Sequence, residues 1–371
     1  MHLQTLSLLN FKNYPEAKLD FLPRINCFAG NNGTGKTNLL DAIYYLSFCK
    51  SFSNPADIQN ILFDEDFFVV QGQYKLNGQK DELYCGVKRG QKKVFKRNKK
   101  EYERLADHIG NYPLVLIYPG DVNLIHGGSD ERRRFIDSVI SQYKKEYLHR
   151  LLDYNKALAQ RNTLLKIFAE KRYYDEPSLE IWDEQLKING AFIFEERKNF
   201  FKQFKPVFQE NHDRLTGKAE TIDLEYESQL SETDPGQLLS DARMKDRMMQ
   251  HTTVGIHKDN LVFLLNGQPL KKFGSQGQQK SYVIALKLAQ FQFIKKLKGY
   301  NPILLFDDIF DKLDPRRVEL LIKMVSKNDF GQVFITDTHT ERLEEIIKKL
   351  KINSRIFDIG SGEVKNVRDF G

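Results

Sequence analysis

The sequence predicts an α/β fold: a mainly parallel sheet flanked by antiparallel hairpins and interrupted by an inserted, mostly helical lobe. Three observations predict it. A strand, a glycine-rich loop and a helix succeed one another between Lys18 and Phe48. A short apolar strand, Ile303 to Phe306, ends in two acids, the first lying 271 positions after Lys36. Between them, past Gly127-Gly128, strand-like alternation gives way to apolar residues at helical spacing.

Each element follows from its own pattern. His2 to Leu9 alternates and reads as a strand, and Lys18 to Phe28 as an extended segment leading into a second one. The helix from Thr37 to about Phe48 completes a phosphate-binding α/β unit. Phe67 to Arg97 alternates, with turns at Leu76-Asn77-Gly78-Gln79 and Arg89-Gly90-Gln91, which predicts antiparallel hairpins. Leu114 to Tyr118 is a short strand stopped by Pro119-Gly120. Asp130 then opens a helix with apolar positions at Ile136, Val139, Ile140, Tyr143 and Tyr147. Leu179 to Phe208 continues helical, with Pro177 before it and Pro206 near its end, so that roughly 125–250 is mostly helical. These helices read as too short and too aromatic for long heptad arms, so no long coiled coil is expected. Val262 to Leu265 with Asn266-Gly267 is a hairpin, Ser281 to Leu297 a helix, Val333 to Thr336 a strand, and Ile356 to Val364 a closing strand and turn.

With 371 residues, 40% hydrophobic and 29% charged, the chain has room for two domains and a sizeable core. Its 57 Lys+Arg against 50 Asp+Glu leave a net +7, a mild lean toward a polyanionic partner. Cys27, Cys49 and Cys85 show neither a CxxC pair nor metal spacing; Cys27 and Cys49, in apolar contexts, read as buried thiols, and the absence of a disulfide framework suits a reducing, cytoplasmic setting. Met1-His2-Leu3-Gln4 lacks the pattern of a signal peptide, and no apolar run approaches the ~20 residues of a membrane helix.

The chemistry concentrates in a few segments. Gly30-Asn31-Asn32-Gly33-Thr34-Gly35-Lys36-Thr37 fits G-x-x-x-x-G-K-[ST] at every fixed position. Its glycines let backbone N–H groups turn toward phosphate oxygens, Lys36 supplies a point charge for the β- and γ-phosphates of ATP, and Thr37 a hydroxyl for Mg²⁺. Ile303-Leu304-Leu305-Phe306-Asp307-Asp308 is its companion: Asp307 is expected on Mg²⁺, and Asp308 orienting or deprotonating the attacking water. Taken alone, the same segment is a buried strand ending in a solvated acidic turn. The wide separation of the two halves is the layout of ABC-type ATPase heads. In that layout Ser275-Gln276-Gly277-Gln278 is the signature motif, whose helix N-terminus faces the γ-phosphate held by a second copy, so that Ser275 acts in trans. Asp311-Lys312-Leu313-Asp314 matches the D-loop, and Asp337-Thr338-His339 the switch segment, where His339 is either a γ-phosphate contact or an exposed loop histidine. The expected organisation is an ATPase lobe of residues 1–120 with 295–371, and a helical lobe of 121–294 carrying the signature motif.

Stretches outside the nucleotide motifs extend the likeness. With Leu9-Asn10-Phe11-Lys12-Asn13-Tyr14, Arg132-Arg133-Arg134-Phe135-Ile136-Asp137, Ala159 to Lys166, Trp182 to Leu186, Gly255 to Leu261 and Ser275 to Lys280, the chain resembles the RecF family of SMC-like ABC ATPases nearly end to end. It departs where the family often has Pro at Ile256, Arg at Lys258 and Lys280, and Ser-Glu at Asp311-Lys312. The resemblance implies a cytoplasmic, ATP-dependent homodimer that binds single-stranded, gapped or junction DNA. It also implies slow, DNA-stimulated hydrolysis serving as a dimer switch, and work with RecR and RecO to load RecA in recombinational repair, replication-fork maintenance and the SOS response. The alternative is the ATPase subunit of an ABC transporter.

For DNA, Val87 to Lys100 holds eight cations in fourteen residues. Lys88, Arg89, Lys92, Lys93, Lys96 and Arg97 are the candidate contacts, alternation placing several on one face. The competing reading is a basic edge hairpin protected against aggregation. Arg132, Arg133 and Arg134 open a helix against its dipole, which calls for partners, inside the fold or on DNA. Trp182 and the many Phe and Tyr are expected in the core.

Overall fold

The computed structural model describes residues 1–54, 56–218, 220–308, 315–326, 330–351 and 353–371. The chain divides into two compact units, Met1–Asp121 with Ile284–Gly371, and Val122–Val283. The expected second boundary at 294 thus falls later than the observed one, which lies within a helix.

The first unit opens with β1 (His2–Phe11), β2 (Tyr14–Asp20), β3 (Ile25–Ala29) and α1 (Lys36–Phe48). There follow β4 (Phe67–Leu76), β5 (Gln79–Lys88), β6 (Val94–Arg97), β7 (Lys100–Glu101) and β8 (Leu114–Ile117). An antiparallel sheet runs in the order β2-β1-β4-β5-β6-β7. Helix α1 is apolar nearly all round, and Leu39, Leu40, Ile43, Tyr45 and Leu46 are buried in one core with side chains of both sheets. Its one buried acid, Asp41, accepts from Ser51 Oγ (2.6 Å) and the Phe52 amide (2.8 Å) and pairs with Lys12.

The second unit comprises α2 (Asn123–His126), α3 (Ser129–Tyr143), α4 (Lys145–Lys171), α5 (Glu176–Thr216), β9 (Ile222–Glu227), α6 (Pro235–Met249), β10 (Asn260–Leu265), β11 (Gln268–Pro269) and α7 (Leu270–Phe273). Helix α5 has 41 residues, about 60 Å at 1.5 Å each. It runs past the expected end near Pro206. The carbonyl that Pro206 leaves without its helical donor belongs to Lys202, an exposed residue of the helix. The region is mostly helical, as expected; strand β9, which pairs antiparallel with β10, was not anticipated, and Ile222 and Leu224 are its inward positions.

Buried charge ties this unit together. Arg161 on α4 donates to Asp183 on α5 (2.5 Å), and to Asp246 on α6 (2.6 Å) and Thr252 Oγ1 (3.0 Å). Arg197 on α5 donates to Asp137 (2.8 Å), Asp259 (2.7 Å) and the Ile256 carbonyl (2.9 Å). Burial pushes the His257 imidazole down to about 4, so the neutral ring bridges Tyr154 OH (2.8 Å) and the Thr252 carbonyl (3.1 Å). Because Asp183 turns inward, its helix neighbour Trp182 turns out and is half-buried, not in the core as expected.

Helix α8 (Gln276–Lys298) leads back into the first unit, followed by β12 (Ile303–Phe306), α9 (Pro315–Val325), β13 (Val333–Asp337), α10 (Thr340–Leu350), β14 (Ser354–Gly360) and β15 (Glu363–Phe370). The second six-stranded sheet has the order β15-β14-β3-β13-β12-β8, parallel throughout except for β15. No described helix is long and apolar enough to cross a membrane.

Removing one side of a buried ion pair leaves the other charge stranded in low dielectric. Arg161→Leu should therefore destabilise the second unit by about 3–5 kcal/mol, read by urea unfolding; a loss within error of zero would show that the tie contributes nothing.

Candidate functional site

The parallel sheet presents the C-terminal ends of β3, β13 and β12 side by side, the edge where α/β sheets bind ligands. The Gly30–Thr37 loop leaves β3, Asp307 and Asp308 leave β12, and Thr336 lies on β13 between them. Asp307 Oδ1 accepts from Thr37 Oγ1 (2.8 Å) and Thr336 Oγ1 (2.9 Å), and Thr336 Oγ1 also accepts from the Asp308 amide (2.9 Å). Burial pushes the Asp307 carboxyl above its ordinary range, while the two hydroxyls pull it back. Asp308 sits in the left-handed region, at φ 48°. A cleft of about 150 Å³ is lined by Asn32, Gly33, Gly35, Lys36, Thr37, Asn38, Asp308 and Thr336. The sequence-predicted loop and acids thus meet in one place, and Thr336, to which the sequence reading gave no role, joins them.

The loop is held from behind. Lys36 Nζ donates to the carbonyls of Gly30 (2.6 Å) and Asn31 (2.7 Å). The Thr34 carbonyl accepts from Asn13 Nδ2 (3.1 Å), in the β1–β2 turn, and from the Gly362 amide (3.0 Å), in the β14–β15 turn. Tyr14 OH donates to the Gly35 carbonyl (3.1 Å), and Asn38 Nδ2 to Asn13 Oδ1 (2.7 Å). Gly35, at φ 112°, has no room for a Cβ, which would lie 2.6 Å from Asn13 Nδ2. Asn13 and Tyr14 were visible in the sequence only as part of the Leu9–Tyr14 stretch, and Gly362 only as part of the closing turn.

The donors at this edge suit a hard divalent cation: a hydroxyl and a carboxylate side by side, oxygen atoms only. Among the described residues no group of three or more His, Cys, Asp or Glu could hold a metal.

The remaining predicted residues fall elsewhere. Ser275, in the second unit, is exposed where α8 begins; its Oγ accepts from the Gln278 amide (3.3 Å) and its amide donates to Gln278 Oε1 (2.7 Å), a reciprocal cap. His339 is exposed before α10, its amide on Asp337 Oδ1 (2.8 Å), and does not line the cleft. The D-loop candidate Asp311-Lys312-Leu313-Asp314 lies outside the described residues.

The basic segment divides in two. Lys88, Arg89 and Lys92 are exposed at the β5–β6 turn. Lys93 Nζ donates to Asp57 (2.7 Å) and the Cys49 carbonyl (2.6 Å), and Arg97 makes a two-pronged pair with Asp81 (3.1 and 2.9 Å). Lys96 lies over the Tyr84 ring, 5.7 Å from its centroid. Lys93 and Arg97 are thus tied to acids of their own fold, and the six cations do not share one free face. Arg132 bonds Asn260 (2.9 Å) and Arg133 the Asp259 carbonyl (2.5 Å), which gives both partners inside the fold.

Residues 2–356 match the family described as RecF/RecN/SMC N terminal domain. The chain is 52% identical over 359 residues to the DNA replication and repair protein RecF of Flavobacterium johnsoniae, covering 97% of this chain and 100% of that one. It is similar to the solved structure of the recombination mediator protein RecF-ATPrS in the RecFOR pathway, with a TM-score of 0.89 at 29% identity over 98% of this chain and 97% of that one. The Smc head domain of Pyrococcus furiosus shares the fold, with a TM-score of 0.58 at 19% identity over 99% of this chain and 96% of that one.

Substituting Gly362, at φ 75°, would bring a Cβ to 2.0 Å from the Asn13 carbonyl. Gly362→Ala should therefore cost on the order of 1–2 kcal/mol and speed amide exchange at Thr34 to Lys36, measured by hydrogen exchange; unchanged protection there would mean the turn does not hold the loop.

Proposed function

The chain belongs to the RecF family, with the fold of SMC-type ABC ATPase heads, and on that premise we propose that it is an ATP-dependent DNA-binding dimer of recombinational repair. The observation that carries this reading is the meeting of Lys36, Thr37, Asp307 and Asp308 around one cleft from segments 270 positions apart. The RecF-ATPrS relative supports a nucleotide there. Lys36 meets the β- and γ-phosphates as a point charge, and the loop amides take the phosphate oxygens. Thr37 and Asp307 would hold Mg²⁺, which when bound offsets phosphate charge. Asp308 orients the attacking water or takes its proton. Ser275 opens α8, whose positive end completes the site of a second copy, so the triphosphate bridges two chains and hydrolysis opens them. His339 we leave as a secondary candidate for sensing the γ-phosphate.

The reading extends to single-stranded, gapped or junction DNA, to RecR and RecO, and to assistance in RecA loading, supported by the RecFOR setting of the solved relative. No feature of the site favours a transporter subunit, and the relative at 52% identity is a DNA replication and repair protein. Lys88, Arg89 and Lys92 are the cations we assign to phosphate contact, with Lys96 secondary.

Two experiments test this. Sedimentation with ATP, ADP and no nucleotide should show an ATP-specific dimer that Lys36→Ala abolishes; Ser275→Arg should block the dimer while the monomer still binds ATP. Dimers persisting in both variants would rule out the shared site. For DNA, replacing Lys88, Arg89 and Lys92 with Gln should weaken binding to gapped DNA and lower the log–log salt slope by about 2–3. Matching changes at Lys93 or Arg97 should instead lower stability.

A further inference from the structure

The turn at Leu62–Glu65 holds a phenyl ring in solvent: Phe63 is 86% exposed. The turn itself is fixed. The Glu65 amide donates to the Leu62 carbonyl (3.1 Å), and the Leu62 amide to the Asn10 carbonyl at the end of β1 (2.9 Å). Asn10 Nδ2 donates to Glu65 Oε2 (3.0 Å). Arg89 closes the other side, its amide on the Asp66 carbonyl (3.0 Å) and its Nε on the Glu65 carbonyl (3.2 Å). Asp64 adopts the left-handed conformation, φ 64°, that the tight turn requires. Beside it, Leu9 and Phe67 are more than a third exposed, Leu9 pairing across the sheet with Val69 on the same outer face. A ring presented this way on a pinned turn, next to further exposed apolar side chains, is poised to be buried by something else.

We propose that the Phe63 turn is a docking knob for a protein partner, inserting into an apolar pocket whose rim carries Lys or Arg. The charges select this occupant. Asp64 and Asp66 flank the ring, both exposed and without an ion pair among the described residues. They repel a phosphate backbone, so the knob is set against nucleic acid even though the Lys88–Lys92 turn adjoins it, and they complement a basic protein rim. Arg89 meets the turn through its amide and Nε, both on backbone carbonyls, and leaves the two carboxylates to the partner. An aromatic anchor that fills a pocket, with a rim of contacts that exclude water, is the form binding hot spots take.

The inference rests on the proposal that the chain works with RecR and RecO, and these two purified proteins are the probes. Binding of each to wild type, Phe63→Ser and the double variant Asp64→Lys/Asp66→Lys is measured by calorimetry at low and physiological salt. Phe63→Ser should weaken binding to one of them at least tenfold. The charge reversal should weaken it too, more at low salt; the ATP-dependent dimer should stay unchanged in both variants, and gapped-DNA affinity unchanged in Phe63→Ser. Wild-type affinity for both proteins in Phe63→Ser overturns the knob. Loss of DNA binding or of the dimer in that variant overturns it as well, assigning the ring to DNA or to a second copy. If wild type binds neither protein, the partner reading itself fails and the knob falls with it.

Discussion

The first unit depends on one carboxylate. Asp307 Oδ1 accepts hydrogen bonds from the hydroxyls of Thr37 and Thr336, so the ends of β12 and β13 are fastened to each other and to the first turn of α1 at the point where the cleft opens. Backbone ladders alone set the strands in register but leave their C-terminal ends free to splay. A buried acceptor with two short hydrogen bonds fixes them, because leaving it unmet costs about 1–3 kcal/mol. The arrangement also explains why the acid is an aspartate on β12 and the donor on β13 a β-branched threonine. Both are short side chains that cannot swing away, and Thr336 is stiff at χ1. From this hook follow the placement of Asp308, whose amide rests on the same Thr336, and the breadth of the cleft.

The phosphate loop is fastened independently on its far side. Its Thr34 carbonyl accepts two donors, one from each sheet of the unit: Asn13 in a turn of the antiparallel sheet and Gly362 in a turn of the parallel one. A glycine-rich loop is conformationally free in the unfolded chain and has to be ordered on folding. Here that entropy is offset by contacts that do not occupy the cleft, so the loop amides remain open toward a ligand. The helical unit follows the same logic with stronger groups. Arg161 and Arg197 each gather two acids from different elements. Such pairs contribute less to net stability than to fixing which helix meets which. The stretches that mark the family outside the nucleotide motifs are largely these ties: Arg161, Asp183, Ile256, His257 and Asp259 all belong to them.

What could be read from the sequence was what is local. The glycine-rich loop, the apolar strand with its acids and the hairpins each carry their pattern within a dozen residues, and all appear where the pattern put them. What was hidden depends on partners far along the chain. Lys93 and Arg97 look like free cations until Asp57 and Asp81 are placed beside them, and Trp182 looks like core until Arg161 claims its neighbour. Pro206 read as a stop because the sequence does not reveal that the carbonyl it deprives belongs to an exposed residue, Lys202. Strand β9 was masked by long helices on either side, although Ile222 and Leu224 keep the two-residue period. Gly362 was legible only as part of the closing turn, where its φ of 75° favours glycine; the further demand made by the Asn13 carbonyl, 349 positions away, was not.

The same distinction bears on charge. A net +7 says little about where an anion binds, because much of the positive charge is committed inside: Arg97, Arg161, Arg197 and Lys93 neutralise acids of their own fold. What counts is the uncommitted remainder, and it is unevenly placed. Exposed lysines gather at the β5–β6 and β6–β7 turns, at the edge of the antiparallel sheet, while Asp64 and Asp66 stand on the turn that adjoins them. Edge lysines discourage strand addition by another chain, and that function is compatible with phosphate contact, since both need the ammonium groups held out from a short strand. A neighbouring acidic turn with an aromatic tip then divides one edge of the unit into a surface that attracts a polyanion and one that refuses it.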